Sequence, residues 1–170
     1  CTIMGAGKNN TLITSTTATV FVTADSLYQS GLGVIGTNSA TLPTSIAVGY
    51  MGFSTTGGTS PVASVDSASD VLFKAVSFSA ASGASRAVEI TNSYDTATNI
   101  TFENCSFNGS ATGVGATGTA IGVRVKDSVF TNLSTAGIAV GNYITGLVSE
   151  NNYFDTTVSA GITGLTGNNY

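Results

Sequence analysis

Apolar and polar residues alternate in short runs that recur along the chain, and each run ends on a phenylalanine. Apolar residues stand seven and five positions before that phenylalanine, and the position between them is mostly polar or variable. Such alternation predicts a short strand with one buried face. The phenylalanines that end the runs are spaced by 25, 29, 23 and 24 residues: Phe53, Phe78, Phe107, Phe130 and Phe154.

A second short strand follows in the later repeats, since Ile138 comes eight residues after Phe130 and Ile162 comes eight residues after Phe154. No helical pattern separates the strands, and the period is too long for the arms of hairpins. A coil of this length that stacks on copies of itself is a parallel β-helix. The sequence therefore predicts an all-β solenoid with about 24 residues per coil.

Equivalent positions of neighbouring coils lie above one another in such a fold, about 4.8 Å apart. The five phenylalanines are then expected to form one buried aromatic stack. Three positions before the phenylalanine, Asn and Asp recur, which indicates a corner in the left-handed conformation. Four positions before it, the charge alternates in sign, which predicts a surface ladder that also fixes the register. The members of this ladder are Lys74, Glu103, Lys126 and Glu150.

Two of the repeats, residues 99–107 and 122–130, resemble coils of the right-handed, pectin-lyase-like β-helix superfamily. The resemblance extends over about residues 44 to 165, and residues 2–13 are similar to an early coil of such proteins. It implies a right-handed parallel β-helix. The superfamily includes polysaccharide lyases and hydrolases, bacteriophage tailspikes and fibres, and adhesins, so the resemblance is specific for the fold and not for a function.

We expect one continuous domain with two parts. Residues 44–170 contain the regular coils, whereas residues 1–43 contain N-terminal coils with an irregular insertion, in which 19–23 and 33–36 are predicted strands. The unequal spacings are attributed to loops at one corner: residues 79–85 and 108–119 are rich in small residues and are expected to project from the stack. Because the first residues show a strand pattern and no initiator Met, we expect a fragment of a longer polypeptide.

Small residues dominate the composition: Thr, Ser, Gly, Ala and Asn make up 101 of 170 residues, and only 8% are charged. The scarcity of long helix-forming side chains excludes a helical bundle. The absence of His excludes Ser-His-Asp catalysis and His-ligated zinc. A net charge of −4 without a basic cluster argues against nucleic-acid binding, and no apolar run is long enough to span a membrane. We expect neither a metal nor another cofactor.

Candidate sites for chemistry are few. Glycoside hydrolysis needs two carboxylates roughly 5–9.5 Å apart, and no column of the predicted stack holds acids in adjacent coils, so we predict no catalytic residue. Glycans are commonly bound by exposed aromatic side chains beside amides or acids. The candidates are Tyr94 with Asp95 in a corner loop, and Tyr153 with Asp155 on either side of Phe154.

These features favour a non-enzymatic, structural role in a virion or outside the cell. The expected protein is a segment of a bacteriophage tail fibre or tailspike, a homotrimer within a larger assembly. Its loops, such as residues 108–119, would face a host-surface glycan. Two alternatives stay open: a polysaccharide lyase or glycoside hydrolase that acts as a depolymerase, and a secreted bacterial adhesin or surface filament. An acidic pair from adjacent coils would favour the enzyme, and three-fold packing of rods the fibre.

Overall fold

The computed structural model describes residues 2–7, 12–15, 21–24, 34–36, 44–93 and 95–165. For residues 12–15, 21–24 and 34–36 it describes the backbone alone. Every regular element in this part of the chain is a β-strand. The all-β prediction is therefore confirmed. The candidate residue Tyr94 lies outside the described residues.

Nineteen strands follow one another in the described part of the chain. In chain order they are β1 (Thr2–Met4), β2 (Leu12–Ser15), β3 (Phe21–Ala24), β4 (Val34–Gly36), β5 (Thr44–Thr55), β6 (Ala63–Asp66), β7 (Ser69–Ser79), β8 (Arg86–Thr91), β9 (Ala97–Glu103), β10 (Ser106–Asn108), β11 (Thr112–Ala116), β12 (Ala120–Ile121), β13 (Arg124–Lys126), β14 (Val129–Thr131), β15 (Ala136–Ala139), β16 (Ile144–Thr145), β17 (Val148–Glu150), β18 (Tyr153–Phe154) and β19 (Ile162–Thr163).

The strands pair in parallel and form two sheets that run along the stack. A sheet of 12 strands contains the runs that end on phenylalanine, and a sheet of seven strands follows the order β4-β3-β6-β8-β11-β15-β19. Each phenylalanine of the repeat is in register with the next one, from Phe53 to Phe154. One turn takes about 25 residues, and the chain makes about five turns. The parallel β-solenoid and its predicted coil length are thus confirmed.

Stacked phenylalanine rings occupy the centre of the solenoid. From Phe78 to Phe107, Phe130 and Phe154, successive ring centroids are 5.2, 4.7 and 4.8 Å apart, and the rings are nearly parallel. A second pair, Phe73 and Phe102, stacks at 5.2 Å and meets the first column edge-on. All of these rings are buried except that of Phe154, which is half-buried. Both offset-stacked and edge-to-face contacts are favourable arrangements of aromatic rings.

Two columns of residues adopt the left-handed backbone conformation and form the corners at which each coil bends. The first column stands three positions before the phenylalanine, as the residue types predict, with φ between 52° and 55°: Tyr50, Ala75, Asn104, Asp127 and Asn151. The second stands eight positions before it, with φ between 53° and 70°: Ser45, Asp70, Asn99, Gly122 and Gly146. Between the two columns each coil carries a short strand, and this strand presents one flat outward face.

Replacing Ala75 by glycine is expected to stabilise the protein. Ala75 has φ 53°, and the left-handed conformation costs an L-residue about 1–2 kcal/mol, which glycine does not lose. Glycine loses about 0.5–1 kcal/mol more backbone entropy on folding, so the net gain is up to about 1 kcal/mol. The measurement is the urea midpoint followed by circular dichroism. The matched control is Ala47→Gly in the extended part of β5, which should lower the midpoint; a lower midpoint for both variants would contradict the strain at Ala75.

The segment 108–119 does not project from the stack, which corrects the prediction made from its composition. Its central residues form β11, whose five residues are all buried, and β11 pairs with β8 and with β15. The extra length of the longest coil lies in residues 79–85, which the composition also predicts as a loop, and between β8 and β9, as the register of β8 against β11 and of β9 against β12 requires. Small residues in 108–119 reflect close packing and not a loop.

The N-terminal part contains both strands that were predicted there. β3 pairs in parallel with β6, and β4 pairs in parallel with the opposite edge of β3. The chain after β3 therefore adds a strand to the N-terminal edge of the seven-stranded sheet before β5 begins the regular coils. Parallel pairing at an edge covers backbone groups that would otherwise be open to other strands.

Candidate functional site

The flat outward face between the two left-handed columns carries most of the charge on the sheets. We call it the charged face and define it by the outward residues six and four positions before the phenylalanine: Leu72, Lys74, Thr101, Glu103, Arg124, Lys126, Val148 and Glu150. Three of the five Lys and Arg residues of the chain lie here. In a chain of net charge −4, this face is the place where cations concentrate.

Glu103 lies between two lysines. Lys74 Nζ is 3.1 Å from Glu103 Oε1, and Lys126 Nζ is 3.3 Å from Glu103 Oε2. The hydrogen bond from Lys74 is the main cause that lowers the pKa of the Glu103 carboxyl, and Lys126 adds to it, while desolvation acts in the opposite direction. The same contact raises the pKa of the Lys74 ammonium. These half-exposed ion pairs serve mainly to fix the register of the coils, because exposed ion pairs contribute only about 0–1 kcal/mol to the stability of the fold.

The fourth charged position, Glu150, is exposed. The strand register places it beside Lys126, but among the described residues no lysine or arginine nitrogen lies within 4.0 Å of its carboxylate. Lys126 instead points to Glu103. The alternating charges of the column therefore form two ion pairs, and both of them involve the carboxylate of Glu103.

Removing Lys74 should raise the pKa of Glu103, because the hydrogen bond from Lys74 is the largest cause of its lowering. Lys74→Met is the test, and Arg86→Met, which removes a cation from the other sheet, is the matched control. Because the folded-state pKa of Glu103 is lowered, its contribution to stability is present above the unfolded pKa and is lost as pH falls through the folded pKa. The measurement is an NMR titration of the Glu103 carboxyl carbon. An unchanged pKa in Lys74→Met would contradict the pairing.

A shallow groove opens at one edge of the charged face. Its volume is about 190 Å³, and it spans the second left-handed column and the strands β9, β13 and β17. Gly122 and Gly146 have no side chains to fill it, which is why the surface is concave there. Its lining consists of Asn99, Thr101, Gly122, Val123, Arg124, Gly146 and Val148.

Arg124 is the only cation in the lining of this groove. Its side chain is exposed, and its neighbours in the same column are Thr101 and Val148, neither of which is charged. Within the described part of the chain, no carboxylate forms an ion pair with its guanidinium, whereas Arg86 on the other sheet pairs with Glu89 at 3.0 Å. A guanidinium in this setting can donate to a planar anion.

One amide in the lining of the groove is held by an acid of the preceding coil. Asn99 Nδ2 donates to Asp70 Oδ1 over 3.0 Å, and both residues belong to the second left-handed column. Asn99 Oδ1 then faces the space above Gly122, since a Cβ at that glycine would lie 3.2 Å from it. The groove thus offers an acceptor, a hydroxyl and a cation on a fixed backbone.

The residues predicted as glycan contacts are not brought together. Tyr153 is 60% exposed on β18. Asp155 is half-buried, and its Oδ1 accepts a hydrogen bond from Thr156 Oγ1. Asp95 lies at the corner before β9, two coils earlier, where its backbone N–H donates to Ser67 Oγ. They occupy separate corners, and none of Tyr153, Asp155 and Asp95 lines the groove beside Arg124.

Sequence reasoning missed the groove because its defining column shares a backbone conformation and not a side-chain type. Ser, Asp, Asn and Gly succeed one another at this position, and the available signal is that each of these residues tolerates or favours a turn. With that column aligned, the glycines of two adjacent coils predict a depression beside Arg124. The signal that identifies the phenylalanine column, one recurring size and polarity of side chain, is absent from this column.

The acidic side chains of the described residues are dispersed over the coils. No two acids share a column in neighbouring described coils, because Asp70 stands beside Asn99 and Glu103 beside Lys126. No group of three or more His, Cys, Asp or Glu side chains in the described ranges is arranged to hold a metal ion. None of the described elements is a helix long and apolar enough to cross a membrane.

Comparison with known proteins returns no relative. No protein-family model matches the chain, and neither a curated protein nor a solved structure is significantly similar to it.

Proposed function

We propose that this chain is a rigid structural segment of a virion tail fibre or tailspike, assembled as a homotrimer and involved in attachment to a host surface. The observation that carries the proposal is the unbroken stack, in which the phenylalanines and both left-handed columns repeat in one register over successive coils. A repeat fold in which every coil contacts only its neighbours extends along one axis, so it serves as a stiff spacer.

The surface supports the same role. Ser, Thr and Asn dominate the composition, and only 8% of residues are charged. Side chains of this kind form hydrogen bonds along a stack and do not depend on ion pairs that salt would screen. Exposed apolar side chains, among them Tyr143, Tyr153 and Ile121, offer contact area for neighbouring rods in an assembly.

The proposal is tested on the full-length protein and on particles from its source. Light scattering should give three chains per rod, and antibodies raised against residues 44–165 should label the tails of virions in electron micrographs. A monomeric rod, with label on the cell surface and not on virions, would overturn the proposal and favour an adhesin or surface filament.

The groove beside Arg124 favours a second candidate, a polysaccharide lyase or glycoside hydrolase acting as a depolymerase. A cation beside a concave surface that carries one hydroxyl and one amide suits the binding of an acidic polysaccharide, which is the first requirement for cleaving one. The discriminating assay follows new reducing ends after incubation with capsular and cell-wall polysaccharides. Binding without new reducing ends supports the structural role, whereas cleavage that is lost in Arg124→Gln supports the enzyme.

A further inference from the structure

The groove beside Arg124 combines three properties that no other described part of the surface shares. It is concave, with a volume of about 190 Å³. It contains a cation that has no ion-pair partner among the described residues. It also lies beside the left-handed corner that precedes β13, a strand that is paired in parallel with β9 on one side and β17 on the other.

The floor of the groove depends on Gly122 and Gly146, which adopt φ of 70° and 69°. In the two preceding coils the same column carries Asp70 and Asn99, whose side chains occupy the space outside the corner. The change from side chains to glycines therefore creates the depression at this level of the stack. The backbone at this column is left-handed in all four coils, so the depression is not caused by a change of backbone conformation.

The walls of the groove are chemically complementary to a small polar ring that carries one negative charge. The Arg124 guanidinium presents several donors in a planar fork that matches a carboxylate. Thr101 supplies a hydroxyl and Asn99 an amide oxygen, both suited to ligand hydroxyls, and Val148 supplies an apolar wall. The volume is smaller than the roughly 300–1,000 Å³ of pockets for drug-sized ligands, so it suits a single ring.

We propose that this groove binds one carboxylate-bearing sugar residue of an acidic surface polysaccharide. The inference rests on the proposed function, since it names the class of ligand that the rod would contact at a host surface. Lys74 and Lys126 on the same face are engaged by Glu103, so Arg124 is left as the cation that distinguishes an acidic from a neutral sugar. A single guanidinium in an acidic protein is too little positive charge for a polyanion such as a nucleic acid.

The test titrates the protein with glucuronic acid and with galacturonic acid, and follows the backbone and side-chain signals of Asn99, Thr101 and Arg124 by NMR. Glucose, acetate and inorganic phosphate serve as comparison ligands. We expect saturable shifts with an acidic sugar and at least about tenfold weaker binding of glucose, because the charge-assisted contact is missing. Equal shifts with acetate or phosphate would mean a general anion site, and no shifts with either uronic acid would exclude the ligand class; both results overturn the inference.

Three variants separate the groove from the overall charge of the protein. Arg124→Gln should weaken uronate binding at least about tenfold. Thr101→Phe fills the groove but keeps the charge, and should also abolish the shifts. Arg86→Gln removes the same charge from the other sheet and should leave binding unchanged. Retained binding in Thr101→Phe, or equal weakening in both arginine variants, would overturn the inference.

Failure of this inference and failure of the proposed function give different results. A trimeric rod on virions that does not bind a uronic acid overturns the groove inference alone. Uronate binding by a monomeric protein found on the cell surface overturns the role in a virion fibre and supports the groove.

Discussion

Phe107→Ala is expected to lower the free energy of unfolding by about 3–5 kcal/mol, the largest effect of any single substitution considered. Phe107 is fully buried and lies between two stacked rings, at 5.2 Å from Phe78 and 4.7 Å from Phe130, and it also meets Phe102 edge-on at 5.7 Å. Truncation removes the apolar area, the ring contacts on both sides and the edge contact together. The rigid sheets around it cannot collapse to fill the space.

The measurement is the shift of the urea unfolding curve, followed by far-ultraviolet circular dichroism. The matched control is Tyr153→Ala, which removes an aromatic side chain from the outer side of the same sheet, where it is 60% exposed. Surface substitutions of this kind are usually within about 0.5 kcal/mol of the wild type. Equal losses in the two variants, or a loss below about 1 kcal/mol in Phe107→Ala, would contradict a central stack that stabilises the coils.

The period of the fold was predictable because one residue type repeats at one structural position. The phenylalanine column needs a large apolar side chain in every coil, so size and polarity recur in the sequence where the structure recurs. The same holds for the corner at Asn104 and Asp127, since these residue types favour the left-handed conformation. The contacts of Glu103 also follow from the register, because residues four positions before each phenylalanine must lie side by side.

Two features could not be predicted in this way. The second left-handed column contains five residues with four different side chains, so only the backbone conformation is common to them. The segment around β11 was predicted as a loop because it is rich in glycine, and glycine is typical of loops. In the folded protein, glycine is required in this segment because a neighbouring side chain occupies the space that a Cβ would need. That requirement comes from tertiary packing, so the local sequence pattern does not reveal it.

The cause is visible at Gly113. A Cβ added there would lie 2.6 Å from the carbonyl oxygen of Gly137 and 2.7 Å from Cδ1 of Phe130. Real Cβ atoms do not approach other atoms so closely, and neither neighbour can yield: one is backbone of the next coil, and the other is a ring that is fully buried in the stack. Gly137 and Gly161 occupy the equivalent position in the next two coils, where Phe154 is the neighbouring ring.

Gly113→Ala is therefore expected to destabilise the protein by about 1–3 kcal/mol, the cost of overpacking a core, although alanine lowers the entropy of the unfolded chain. Gly115→Ala on the same strand is the matched control, because its Cβ would come closest to Arg86, at 2.8 Å from Nε near the end of a flexible side chain, and would meet Thr112 Cγ2 only at an ordinary contact distance of 3.5 Å. The urea midpoints of the two variants decide between a steric and a general effect of adding a methyl group to β11. In a Phe130→Leu background the penalty of Gly113→Ala should shrink, since the two positions are in contact and their effects are not additive. Equal penalties at both glycines, or an unchanged penalty in that background, would show that Gly113 does not serve to admit the ring of Phe130.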